Sequence, residues 1–255
     1  MSPLLTLMVD AALAAGREIE AIYGAGCATE IKSDGSPVTE ADRRAEAIIL
    51  TALRRAYPDI EILAEEEVCA GHVPVLGERF FVVDPLDGTR GFVDRNGEFT
   101  VNIALVEKGA PVAGVIYAPD THLLYYGEAG EGAFRRRDGA SAEPIATRTP
   151  PAEGLVVLAS RTTAERTRER LSDLPIAEFR PSSSSLKFCL LAEGSADIYP
   201  RYGPTMEWDT AAGQAILEAA GGRVMAVDGD REAGPLRYGN ASRNFENLHF
   251  IAWGV

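Results

Sequence analysis

Histidine and cysteine are scarce in this chain of 255 residues, with three of each. His72, His122 and His249 stand far apart, and none falls in an H-x-x-x-H spacing. A histidine-based zinc site or a Ser-His-Asp triad therefore has little to be built from. Cys27, Cys69 and Cys189 are odd in number and widely spaced, which reads as reduced thiols in a cytoplasmic protein rather than a disulfide framework. No stretch approaches the roughly eighteen consecutive apolar residues of a transmembrane segment. Met1-Ser2-Pro3-Leu4 lacks a basic segment followed by an apolar run, so no signal peptide is expected. Peripheral attachment to the inner face of the membrane stays open.

Basic residues are also outnumbered, 25 Lys and Arg against 38 Asp and Glu, for a formal net charge of −13. That balance argues against a nucleic-acid polymer as partner, because backbone phosphates need a basic face. Phosphate can still be held locally, by metal cations, helix N-termini or a few placed basic groups. The remaining composition, 46% hydrophobic and 25% charged, is that of a globular protein. The length suits one large domain or two closely packed halves.

Apolar positions at helical spacing predict a helix over 3–23, ending near Gly24. A polar loop, Lys32 to Pro37, precedes Thr39, an N-cap candidate with Asp42 three residues on in a capping-box-like arrangement. The helix so opened runs to about Ala56. Strands are expected over 60–64 and 79–83. A hairpin is expected from 99–106 and 111–117, joined by Glu107-Lys108-Gly109-Ala110, with two more strands around Gly127 to Gly132. The Pro- and Thr-rich segment 144–151 is the boundary candidate, dividing an N-terminal α+β half, 1–150, from a C-terminal α/β half, 151–255. Beyond it, strands at 155–159, 176–179, 196–199, 223–227 and 247–252 alternate with helices at 162–171, 184–193 and 210–220. Such alternation predicts a layered α/β architecture. Asp228-Gly229-Asp230 reads as a hairpin turn, and Cys189 as core packing.

The chemistry concentrates in acidic residues. Asp84-Pro85-Leu86-Asp87-Gly88-Thr89 follows the apolar run Phe80-Phe81-Val82-Val83. Pro85 biases Asp84 toward an extended conformation, and Gly88 permits a sharp turn. Both carboxylates could then face one side of a strand end. Oxygen ligands without Cys or His suit Mg²⁺. Taken alone, the motif is equally well a solvated Asp-rich turn. Glu65-Glu66-Glu67 at the end of another apolar run, and Trp208-Asp209-Thr210 before the small residues Ala211-Ala212-Gly213, weigh toward a metal site. Asp209 as a plain N-cap is the alternative there.

Asp84 to Thr89, Glu65-Glu66 upstream and Trp208 to Gly213 downstream resemble, in order and spacing, the two signatures of the inositol monophosphatase-like superfamily. Arg95 to Leu105, Ser184-Ser185-Leu186-Lys187-Phe188-Cys189 and Tyr199 to Thr205 resemble its CysQ-type branch, the 3′(2′),5′-bisphosphate nucleotidases. The resemblance implies a layered αβαβα sandwich with the site between its two halves. It implies two Mg²⁺ ions, or three, held by Glu65, Asp84, Asp87, Asp209 and the Leu86 carbonyl. Glu65 and Thr89 would orient the attacking water, and Asp42 would activate it or hold the third metal. Gly88 and Thr89 N–H groups would hold the phosphate, with Asp209 near the leaving hydroxyl. Ser184, Lys187 and Arg201 would take a second phosphate or the nucleotide.

The implied reaction is hydrolysis of adenosine 3′(2′),5′-bisphosphate to AMP, a small-molecule substrate, in a protein sensitive to Li⁺. Inositol 1-phosphate and fructose 1,6-bisphosphate are the alternative substrates, and a non-catalytic phosphate sensor is the alternative of a different class. A homodimer stays open. Arg90-Gly91 departs from the Lys-Glu usual in the family, and Gly91, which removes a carboxylate at the mouth of the site, is expected to widen substrate choice.

Overall fold

A computed structural model describes residues 1–26, 28–32, 35, 37–137, 140–159, 164–182, 185–229 and 231–254. Helix α1 (Pro3–Ala25) is capped by Ser2, whose side chain accepts the Leu5 N–H at 3.1 Å. Pro3 sits in the first turn, where its missing N–H would have had no partner. A short hairpin follows, β1 (Thr29–Ile31) against β2 (Pro37–Thr39), and the polar loop expected from Lys32 falls between its strands, where 33, 34 and 36 lie outside the described residues. Three-residue strands are too brief to show an alternating pattern. Helix α2 (Glu40–Ala56) opens on the expected Thr39–Asp42 capping box.

A seven-stranded sheet follows in sequence order: β3 (Glu61–Ala64), β4 (Arg79–Asp87), β5 (Thr100–Glu107), β6 (Ala110–Ala118), β7 (Leu123–Glu128), β8 (Gly132–Arg137) and β9 (Glu143–Ile145). Short helices α3 (Glu65–Cys69) and α4 (Thr89–Val93), neither expected, continue directly from the ends of β3 and β4. Only β3 and β4 run parallel; the rest is an antiparallel meander. Lys108 and Gly109 both have positive φ, the mirror-type turn whose twist suits a two-residue hairpin.

The second sheet contains β10 (Leu155–Ala159), β11 (Ile176–Pro181), β12 (Ile198–Arg201), β13 (Arg223–Asp228), β14 (Arg231–Pro235) and β15 (His249–Trp253), in the order β11-β10-β12-β15-β13-β14. Helices α5 (Ala164–Arg170), α6 (Leu186–Ala192) and α7 (Ala211–Ala219) connect its strands. Asp228 pairs with Arg231, closing the predicted hairpin. Strands β9 and β14 were not expected. Each is short and largely exposed, without an apolar run to mark it.

The elements stack as an αβαβα sandwich. Alternate residues on the first sheet feed two cores. Phe81, Val83, Val101, Ile103 and Leu105 face α1 and α2, while Phe80, Val82, Ala104 and Val106 face α6, α7 and the second sheet. Strands buried on both faces read as continuous apolar runs, as these do. The outer face of the second sheet is covered by a smaller cluster, Leu155, Val157, Leu171 and Ile198. Cys189 is fully buried in the central core, as expected. Among the described residues no helix is long and apolar enough to cross a membrane.

Candidate active site

The site forms where β4 ends against the second half of the chain. On a straight strand, residues three apart face opposite sides. Asp84 pairs with Asn102 and Asp87 with Thr100, so three steps on β4 oppose two on β5. This bulge turns Asp87 to the side of Asp84. A strand end was expected here; the strand runs through the motif, and the bulge does the reorienting. Gly88 then ends the strand at φ 89°, and a Cβ there would lie 2.5 Å from the Glu98 carbonyl oxygen, so only glycine fits.

Asp209 arrives from the other half, on a 3₁₀ turn over Glu207–Asp209. One of its oxygens accepts the Met206 N–H at 2.8 Å, so it braces this turn rather than capping α7. The turn is anchored by buried Glu207, whose carboxylate accepts from Gly239 N–H at 2.7 Å and from both Asn240 donors at 2.8 Å. Asp84, Asp87 and Asp209 each present an oxygen within 4.8 Å of the others'. Asp84 is buried and accepts the Leu86 N–H at 3.0 Å. Burial drives the carboxyls of Asp84 and Asp209 well above the usual carboxylate range, and their acidic neighbours drive them further. Such convergent, mutually repelling oxygens, with no nitrogen or sulfur among them, fit a hard divalent cation.

Glu65 opens α3 beside this cluster, within hydrogen-bonding reach of Asp84. Its carboxylate receives Lys32 Nζ at 2.7 Å, and the same ammonium reaches Glu66 at 2.5 Å. Burial lifts the Glu65 carboxyl to about 7, with Lys32 opposing the rise. Lys32 was read as part of a polar loop; the hairpin carries it onto the acidic centre. Helix α3 has no cap on its own N-cap residue, and Glu46 from α2 supplies one, accepting the Glu66 N–H at 2.8 Å. Asp42 uses its two oxygens differently. Oδ2 closes the capping box with Thr39, and Oδ1 accepts Thr89 Oγ1 at 3.1 Å. Thr89 Oγ1 also lies 3.2 Å from the Leu86 carbonyl oxygen.

A cavity of about 110 Å³ opens beside the carboxylates, lined by Asp87, Lys187, Tyr199, Arg201, Thr205 and Asp209. Lys187 is buried, with Nζ 3.3 Å from the Ser182 carbonyl and 4.9 Å from the centre of the Tyr199 ring. Burial pulls its ammonium down to about 8, against the pull of Asp87. Arg201 donates one Nη2 bond to the Pro204 carbonyl, while its buried Nε has no hydrogen-bond partner. Ser184 lies outside the described residues. Ser185, one residue on and not singled out by the sequence, has its hydroxyl 2.7 Å from Asp87 Oδ2. Gly91 lies within α4. It is buried, and a Cβ there would lie 2.7 Å from Asn96 Oδ1 and 2.8 Å from the Glu98 carbonyl. It marks close packing under the loop.

Fold and acidic centre together define a metal-dependent phosphatase, and the chain belongs to the inositol monophosphatase family, whose profile matches residues 1–252. Within that family it is 49% identical over 195 residues to the 3′(2′),5′-bisphosphate nucleotidase CysQ of Salmonella typhimurium, covering 76% of this chain and 77% of that one. It is 44% identical over 207 residues to the CysQ of Escherichia coli strain K12, covering 81% of each chain. Among solved structures, CysQ from Bacteroides thetaiotaomicron superposes with a TM-score of 0.78 at 36% identity, over 98% of this chain and 96% of that one.

Proposed function

We propose that this chain is a Mg²⁺-dependent 3′(2′),5′-bisphosphate nucleotidase, releasing the 3′(2′)-phosphate of adenosine 3′(2′),5′-bisphosphate to give AMP and inorganic phosphate. The observation that carries the substrate is the cavity lined by Lys187 and Arg201 together with Asp87 and Asp209 of the acidic cluster. A second phosphate needs its own cationic partners, and a mono-phosphorylated sugar alcohol does not. The three widely spaced cysteines support a reducing, cytoplasmic setting.

Glu65, Asp84, Asp87, Asp209 and the Leu86 carbonyl would hold two Mg²⁺ ions, with Asp42 available to a third. Bound there, the metal supplies positive charge for the phosphate oxygens and acidifies a water. The protein's own groups do the positioning. Thr89 Oγ1 donates to Asp42 Oδ1, so the threonine oxygen accepts from the attacking water and aligns it. The water proton passes toward that carboxylate as the new P–O bond forms. The backbone N–H groups of Gly88 and Thr89 receive the phosphate oxygens. The P–O bond to the sugar breaks with its electron pair on the sugar oxygen, which takes a proton from solvent water and leaves as a hydroxyl beside Asp209. Ser184, Lys187 and Arg201 take the other phosphate or the nucleoside.

Phosphate release with Mg²⁺, measured on adenosine 3′,5′-bisphosphate, inositol 1-phosphate and fructose 1,6-bisphosphate, tests this reading. The largest kcat/KM should fall on the nucleotide. Turnover of inositol 1-phosphate with none of the nucleotide would overturn it. Millimolar Li⁺, similar in size to Mg²⁺ at half the charge, should inhibit.

A further inference from the structure

We propose that Ser185 is a positioning residue for the metal centre: it holds Asp87 from the opposite half of the molecule and thereby sets the affinity of the acidic cluster for its cation. The inference rests on reading Asp84, Asp87 and Asp209 as metal ligands. Asp87 stands at the end of β4 in the first half, and Ser185 immediately precedes α6 in the second. Two donors of Ser185 converge on the same oxygen, Asp87 Oδ2: the backbone N–H at 2.8 Å and Oγ at 2.7 Å. Two bonds from one rigid point fix how the carboxylate is rotated and leave its other oxygen free of Ser185.

Ser185 is itself held. It is 2% exposed, and its Oγ accepts Asn102 Nδ2 at 2.8 Å. The orientation of that amide follows from Thr100, whose Oγ1 donates to Asn102 Oδ1 at 3.0 Å. Asn102 is the residue that pairs with Asp84 across the sheet. Ser185 Oγ also lies 2.9 Å from the Asp209 carbonyl oxygen. A hydroxyl has one proton, so it donates either to Asp87 Oδ2 or to Asp209. In either state the backbone N–H keeps its bond to Asp87. Ser185 thus touches two of the three cluster residues directly and the third through Asn102. Asp84 and Asp209 each accept a backbone N–H, from Leu86 and Met206, and the Ser185 donors give Asp87 the corresponding hold against its like-charged neighbours. Outer partners of metal-ligating groups typically contribute about 10- to 100-fold in affinity or activity.

The test is Ser185→Ala in the full-length chain, stripped of metal with EDTA and dialysed free of chelator. Mg²⁺ is titrated by calorimetry, and the Mg²⁺ concentration for half-maximal activity is measured in parallel. Alanine keeps the backbone donor and removes the hydroxyl. Mg²⁺ affinity should fall roughly tenfold or more, with kcat at saturating Mg²⁺ nearly restored. Asn102→Ala, which frees the hydroxyl, should shift Mg²⁺ affinity the same way by less, and it decides the matter if Ser185→Ala does not fold. Wild-type protein that binds Mg²⁺ while the variant binds it within twofold would overturn the role of Ser185 alone. Wild-type protein that takes up no Mg²⁺ would overturn the metal reading, and this inference with it.

Discussion

The Thr89 hydroxyl donates to Asp42 Oδ1 at 3.1 Å across 47 residues of sequence, while Asp42 Oδ2 caps the start of α2. One carboxylate therefore joins a helix terminus to the hydroxyl that would align the attacking water. Burial raises the Asp42 carboxyl, and its hydrogen bonds from Thr39 and Thr89 oppose the rise. Thr89→Ala removes the alignment without touching the cap. We expect kcat to fall by roughly 10²- to 10⁴-fold, the usual span for a lost proton-transfer arrangement, with Mg²⁺ affinity and melting temperature close to wild type. Asp42→Asn should lose comparable activity and also some stability, since both carboxylate oxygens accept, from Thr39 and from Thr89, and the Asn NH2 that replaces one of them cannot. Steady-state kinetics paired with thermal melts separates the two effects.

Lys187 should act on substrate affinity. Truncating it to Ala is expected to raise KM for adenosine 3′,5′-bisphosphate roughly tenfold to a hundredfold, the range of a lost charge-assisted bond, with a smaller change in kcat. Because burial pulls the Lys187 ammonium down to about 8, the wild-type KM should climb as pH rises through that value and the lysine loses its charge. The Ala variant should show a flatter profile. An unchanged KM in the variant would argue against a second-phosphate pocket at this cavity.

The acidic motif was legible because its parts are contiguous and chemically narrow. Asp84, Asp87 and Gly88 sit within five residues, behind an apolar run that could only be a buried strand. The long helices and the hairpin at Lys108-Gly109 were legible for a similar reason, since caps and turn residues act locally. Lys32, Glu46, Ser185 and Glu207 were not. Each acts across 20 or more residues of sequence, on a partner that only the tertiary packing supplies: 33 residues for Lys32 on Glu65, 98 for Ser185 on Asp87. The run of four serines from Ser182 to Ser185 gave a signal of polar chemistry but could not say which member reaches Asp87. The bulge in β4 was also hidden, because register is a property of two strands.

Glu46 should make the metal-free protein lose stability as pH rises. Burial, with Glu66 and Glu67 adding repulsion, lifts its carboxyl to about 7 from an ordinary value near 4.5. A carboxyl raised on folding binds its proton more tightly in the folded state. Its contribution is complete below the unfolded value and is lost as pH climbs through about 7, on the order of 3 kcal/mol in all. Glu46→Gln keeps an acceptor for the Glu66 N–H and removes the titration. In EDTA, melting temperatures of the Gln variant should fall less between pH 5 and pH 8 than those of the wild type. Parallel profiles would exclude Glu46 as a source of the slope.

Mg²⁺ should stabilise the folded chain, and more at high pH than at low. Asp84 and Asp209 are raised by burial and by each other's neighbours, so the metal-free protein is destabilised as these groups ionise with rising pH. A cation bound among them offsets that repulsion and competes with protons for the same oxygens. At Mg²⁺ a hundredfold above its Kd the gain is about 2.7 kcal/mol. For a chain of this size that corresponds to roughly 5–10 °C in Tm. Scanning calorimetry at pH 6 and pH 8, each with EDTA and with Mg²⁺, should give the larger upward shift at pH 8. Asp84→Asn should abolish most of the shift, because it removes both a charge the cation neutralises and a charged oxygen ligand. Its melting temperature in EDTA at pH 8 should equal or exceed that of the metal-free wild type, since one buried like charge is gone from the cluster. A Mg²⁺ shift of wild-type size in the Asn variant would show that the cation binds elsewhere.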